Sequence, residues 1–132
     1  MDSRKKVLIA EDYADIRQMT RIMVELMGFD VIEAANGSEA IEQAKKCRPD
    51  VVLMDIAMPV LNGITAASLI HQLDDCRDVP IIAVTAFGRD YVRDAGDYGF
   101  DAVIEKPVDM DELKLAIESG LDHPLAMSQT EH

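Results

Sequence analysis

Two stretches of this chain, Val51-Val52-Leu53-Met54 and Ile81-Ile82-Ala83-Val84, are apolar at every position. A strand with one wet face alternates between apolar and polar residues. A strand apolar on both faces must be covered on both sides, which is the condition of a parallel sheet packed between helices. Val7-Leu8-Ile9 is a third such run. Longer stretches with helical spacing separate these runs. Crossovers between parallel strands are right-handed. The pattern therefore predicts an open, doubly wound α/β domain of five strand–helix units, with helices on both faces of one sheet.

The elements follow from local signals. Strands are expected at Lys6–Ala10, Asp30–Ala34, Val51–Met54, Pro80–Thr85 and Ala102–Glu105. Ala14–Met27 reads as a helix, with Ile16, Met19, Met23, Leu26 and Met27 at steps of three and four. Met19, Met23 and Met27 are expected on its inward stripe, and Arg17, Arg21 and Glu25 on an exposed face that suits docking by a partner helix. Asn36 with Glu39 resembles a capping box and opens a helix through Lys46. Asn62-Gly63 opens another, to about Leu73, and Arg89–Ala95 is a short one. The last helix is expected over Asp109–Ser119, with Asp109 as N-cap, Glu112 three residues on, and Val108 stapled to Leu113. Gly120 should close it. Residues 1–120 then form one domain, and 121–132 a frayed tail holding Pro124.

Composition narrows the function classes. The 132 residues suit a single domain, and 48% hydrophobic content suffices for a core. With 25 acidic against 13 basic residues the net charge is −12, which repels a phosphate backbone, so no direct DNA binding is expected. No window reaches the roughly 18 apolar residues of a membrane span. The start, Met1-Asp2-Ser3-Arg4-Lys5-Lys6, meets only a short apolar run before Glu11, so no secretory segment is read and a cytoplasmic setting is expected. Cys47 and Cys76 lack metal or redox spacing and read as packed thiols. His71, His123 and His132 have no neighbour at ligand spacing.

The informative residues lie just past the strands. Strand one runs into Glu11-Asp12, strand three into Asp55, strand four into Thr85 and strand five into Lys106. Ligands of open α/β sheets bind at the carboxyl ends of the strands. If strands one, three, four and five are neighbours, these side chains converge. Three carboxylates at close range repel, and one takes up a proton unless positive charge is supplied. A divalent cation supplies it, and hard oxygen donors with few protein ligands suit Mg²⁺.

The ordered motifs Val-Leu-Ile-Ala-Glu11-Asp12, Asp55-Ile-Ala-Met58-Pro59-Val-Leu-Asn62-Gly63, Ile-Ile-Ala-Val-Thr85-Ala86 and Lys106-Pro107 resemble the receiver domain of response regulators over about Lys5–Ser119. The resemblance implies a flavodoxin-like strand order 2-1-3-4-5. It implies a phospho-acceptor of two-component signalling, with Asp55 taking a phosphoryl group from a histidine kinase or a histidine phosphotransfer protein. Asp12, Asp55 and the backbone carbonyl of Ala57 would hold Mg²⁺, and Glu11 would act mostly through a water on it. Thr85 and Lys106 would contact phosphoryl oxygens, and the Lys106–Pro107 bond would be cis. Phosphorylation would switch a face that binds a downstream protein. Such a chain is a signalling switch and no substrate-turning enzyme, a monomer or weak dimer with no membrane contact. Relay of the phosphate onward, or service as a phosphate sink, stays open beside a stand-alone effector role.

Three positions depart from the family pattern. Val103 stands where many members carry an aromatic that moves with the Thr. Ala57 and Phe87, two after Asp55 and two after Thr85, cannot orient an attacking water, so a long-lived phosphoryl group is expected. Two rival readings fit less well. A flavodoxin-like electron carrier needs a Gly/Ser/Thr-rich phosphate cradle after strand one, where this chain has Glu11-Asp12-Tyr13-Ala14. An aspartyl-phosphate phosphatase needs a second acid two after the nucleophile, where this chain has Ala57.

Overall fold

The computed structural model describes residues 4–58, 61–86 and 99–129, with backbone alone from 123 onward. Its elements are β1 (Lys6–Ala10), α1 (Ala14–Leu26), β2 (Asp30–Ala34), α2 (Gly37–Cys47), β3 (Val51–Asp55), α3 (Gly63–His71), a 3-10 turn at Asp74–Cys76, β4 (Ile81–Thr85), β5 (Ala102–Glu105) and α4 (Met110–Gln129). The helix expected over residues 89–95, together with Phe87, Tyr91 and Tyr98, lies outside the described residues.

The five strands form one parallel sheet in the order β2-β1-β3-β4-β5. The period of two along each strand divides the core into two layers. Leu8, Ala10, Val52, Met54, Ile81 and Ala83 face one way, against α2 and α3. Val7, Ile9, Val51, Leu53, Ile82 and Ile104 face the other, against α1 and α4. All five residues of β3 and all five of β4 are buried, as strands covered on both faces must be. The small residues Ala40, Ala44, Ala66 and Ala67 are fully buried and let α2 and α3 approach the sheet closely.

The caps obey the sequence. Asn36 accepts from Glu39 N at 2.9 Å, and Glu39 returns a bond to Ala35 N at 2.8 Å, one residue ahead of the cap. Asn62 accepts from Thr65 N at 2.9 Å and Asp109 from Glu112 N at 2.9 Å. Glycine is required at two of these starts. A Cβ on Gly63 would overlap the Asp55 carbonyl oxygen, and one on Gly37 would overlap the Leu61 carbonyl oxygen.

Three expectations fail for identifiable reasons. The first concerns α1, which buries Thr20 and Val24 and leaves Met19 62% and Leu26 73% exposed. Apolar residues run most of the way round this helix, so spacing alone does not select the inward stripe. Thr20 tolerates burial because its hydroxyl donates to the Ile16 carbonyl at 2.9 Å. Met23 and Met27 do pack inward, half-buried. The second concerns Arg17, expected on the exposed face, whose side chain is 19% exposed and bonded to Glu33 of β2, while Arg21 and Glu25 stay 41% and 44% exposed. The third concerns α4, which runs past Gly120 to Gln129. Gly120 serves close packing, since a Cβ there would lie 3.0 Å from Cβ of Pro80. No helix among the described residues is long and apolar enough to cross a membrane.

Candidate functional site

The strand order reverses direction between β1 and β3. An open α/β sheet has its crevice at that switch point, outside the carboxyl ends of the strands. Register decides what lies there. Ala10 pairs with Met54, Asp55 with Val84, and Thr85 with Glu105. Glu11 and Asp12 therefore emerge beside Asp55, with Thr85 and Lys106 on its other side.

The side chains meet as the register requires. Glu11, Asp12 and Asp55 each present a carboxylate oxygen, and these oxygens lie within 4.8 Å of one another. Lys106 Nζ donates to Glu11 Oε1 at 2.8 Å and stands 3.4 Å from Asp55 Oδ2. The Lys106–Pro107 peptide is cis, and Lys106 N donates to the Thr85 carbonyl at 2.8 Å. Thr85 is buried at the last position of β4, and Ala57 is exposed two residues past Asp55.

The electrostatics are unbalanced. Three carboxylates face one ammonium, which leaves two negative charges uncompensated. Asp55 bears the strain. Burial, and then the charge of Glu11, push its carboxyl from an ordinary 3.8 up to about 6, against the pull of Lys106. A cavity of about 20 Å³ beneath it is walled by apolar residues that include Ile9, Leu53, Val84 and Leu113, which explains the poor solvation. Burial alone would lower Lys106, but the hydrogen bond it donates to Glu11 and the charges of Asp55 and Glu11 outweigh it and raise the ammonium's pKa. Among the described residues no hydrogen bond is made to the Asp12 carboxylate. Hard oxygen donors with an excess of two negative charges, one of them free to accept, fit a hard divalent cation.

Around this cluster the β1–α1 loop is tightly held. Glu11 N donates to the Ala34 carbonyl at 3.0 Å, and Tyr13 N donates to Glu11 Oε2 at 3.1 Å. Arg17, a residue whose part here the sequence did not disclose, donates from its guanidinium to the Glu11 carbonyl at 2.8 Å and from Nε to Glu33 at 2.8 Å. The available signal was an acid, Glu33, following the apolar pair Val31-Ile32 one residue before the end of the edge strand β2. Arg17, with Arg21, holds the Glu33 carboxyl below the usual carboxylate range.

Comparison with known proteins agrees with this geometry. A family model of the response regulator receiver domain matches residues 7–118. The chain is 39% identical over 119 residues to the chemotaxis protein CheY of Bacillus subtilis, covering 89% of this chain and 98% of that one. It is 34% identical over 121 residues to the polar-differentiation response regulator DivK of Brucella anthropi, covering 89% and 96%. Identity reaches 42% over 116 residues with the transcriptional regulatory protein PdtaR of Mycobacterium tuberculosis, covering 86% of this chain and 55% of PdtaR. The chain thus spans about half the length of PdtaR and nearly all of CheY and DivK. Among solved structures, the receiver domain of a Pseudomonas aeruginosa sensor histidine kinase superposes with a TM-score of 0.83 at 29% identity, covering 90% and 98%. That structure holds a magnesium ion coordinated in its active-site cleft. Vibrio cholerae CheY4 superposes with a TM-score of 0.84 at 28% identity, covering 90% and 100%. With the sheet order, the crevice and the matched span in agreement, this chain belongs to the receiver domains of two-component response regulators.

Proposed function

We propose that Asp55 accepts a phosphoryl group from a histidine kinase or a histidine phosphotransfer protein, with Mg²⁺ in the acid cluster, and that the modified domain switches its binding of a downstream protein. One observation carries this reading: a buried Asp55 carboxylate stands beside Glu11, Asp12 and the Lys106 ammonium, with negative charge in excess. Asp12, Asp55 and the Ala57 backbone carbonyl would hold the ion, with Glu11 at one remove. When bound, the ion supplies positive charge to the oxygens of the transferred group.

Phosphoryl transfer demands alignment and charge neutralisation more than covalent machinery. An Asp55 carboxylate oxygen forms the new O–P bond as the donor's N–P bond breaks, and the electron pair leaves on the imidazole nitrogen. Lys106 offers the other fixed cation of the pocket. The Thr85 hydroxyl, at the end of β4, would donate to a phosphoryl oxygen and so link phosphorylation to the β4 side of the molecule. A protein donor suits the surface nearby, because Tyr13, Met19, Ile22 and Leu26 are each more than half exposed along α1.

Intact mass after incubation with acetyl phosphate and Mg²⁺ tests the reading. One added phosphoryl group is expected in the wild type, with none in Asp55→Ala and none in EDTA. Labelling of Asp55→Ala, or labelling indifferent to Mg²⁺, overturns it. Ala57 and Phe87 offer no group to orient a water, so the phosphoryl group should persist for minutes, and decay within seconds would refute that expectation.

A further inference from the structure

We infer that Arg17 is a positioning residue for the acid pair Glu11–Asp12, acting through the backbone, and that it sets the affinity of the cluster for a divalent cation. The inference rests on reading Glu11, Asp12 and Asp55 as a cation site. Asp12 lies between two peptide groups, and each is pinned by a side chain. The peptide before it has its carbonyl, Glu11 O, held by the Arg17 guanidinium at 2.8 Å. The peptide after it has its N–H, on Tyr13, held by Glu11 Oε2 at 3.1 Å. Holding both peptides restrains φ and ψ of Asp12 and hence the direction of its Cα–Cβ bond, from which the carboxylate is aimed. The second pin is a member of the cluster itself, and the first comes from outside it.

The outside pin is anchored in turn. Arg17 Nε donates to Glu33 Oε1 at 2.8 Å, and the pair is largely shielded, with side chains 19% and 30% exposed. Glu33 lies on β2, whose next residue, Ala34, receives the Glu11 N–H at 3.0 Å. A rigid planar fork therefore spans from β2 to the mouth of β1. Net charge is not what Arg17 contributes, since Arg17 and Arg21 are matched by Glu33 and Glu25. Geometry is. A lysine keeps the charge on a single nitrogen and cannot place two donors on two such separate acceptors. Arg21 provides the control: it binds the same Glu33, and Glu25 at 2.9 Å, and among the described residues has no bond to the β1–α1 loop.

Calorimetric Mg²⁺ titration of the folded proteins, with thermal midpoints in EDTA, separates positioning from plain stability. Arg17→Gln and Arg17→Lys should each weaken Mg²⁺ binding about tenfold, as losing a group that orients a metal ligand does. Glu33→Gln should weaken it in the same direction by about threefold, and Arg21→Gln should stay within about twofold of wild type. Wild-type affinity in both Arg17 variants, whatever their midpoints, overturns the inference. Restoration by Arg17→Lys overturns it as well, since charge would then suffice, and so does an equal loss in Arg21→Gln. If the wild type itself binds no Mg²⁺, the cation site is wrong, and the inference falls with it.

Discussion

At the rim where the strands begin, charges stand in water. The Arg4–Asp30 pair is 60% and 61% exposed, and Arg77–Asp74 is 71% and 89% exposed in a groove shared with Lys5 and Asp50. At the rim where the strands end, the side chains of Lys106, Glu11 and Asp55 are 18%, 7% and 6% exposed. Solvent screens the first set, so its pairs contribute little to stability and bind nothing strongly. The second set is withdrawn from water and left unbalanced, so its free energy depends on what else arrives. A buried excess of one sign is a poor stabiliser of a fold and a good receptor for the opposite sign.

Four substitutions break or sharpen that contrast. Lys106→Ala leaves Glu11 and Asp55 buried without a counterion, so urea denaturation in EDTA at pH 7.5 should show a loss of about 3 kcal/mol, partly restored by Mg²⁺. Asp55→Asn should act with the opposite sign. The folded-state pKa of Asp55, about 6, lies above its ordinary 3.8, so its protonation favours folding. That contribution is complete below about pH 4 and is lost as pH rises through about 6. Asp55→Asn should therefore gain on the order of 2 kcal/mol over wild type at pH 8 without metal, and almost nothing at pH 4. A parallel offset at both pH values would contradict the assigned cause. Thr85→Ala should take up phosphate within about threefold of the wild-type rate, while the phosphorylation-dependent gain in target binding falls about tenfold. Arg77→Ala, at the watery rim, should move stability by less than about 0.5 kcal/mol at any pH.

Much of this contrast was legible in the sequence, because it depends on strand ends. Runs such as Val51–Met54 declare both their burial and the point where it stops, so Asp55 could be placed without coordinates. The caps at Asn36, Asn62 and Asp109 were equally plain, since each is a side-chain bond to an amide three residues away. What failed to show was anything set by competition between faces. Met19 and Val24 are both apolar, and only the packed sheet decides that Val24 turns in. Gly120 carries the signal of a helix stop, but packing against Pro80 answers it differently. Arg17 looked like a solvated charge because its two acceptors, Glu33 and the Glu11 carbonyl, come from β2 and from the loop after β1.

The two helix starts without a Cβ have a mechanical consequence. Gly37 abuts the Leu61 carbonyl, and two residues on Gly63 abuts the Asp55 carbonyl, with Gly63 N bonded to the Ile56 carbonyl at 2.9 Å. Main chain rests on main chain from α2 across to Asp55, with no side chain at either glycine to absorb a displacement. One jaw of the crevice is thus a rigid anvil. If Asp55 is phosphorylated as proposed, the yielding is expected on the opposite jaw, where Thr85 and Lys106 stand.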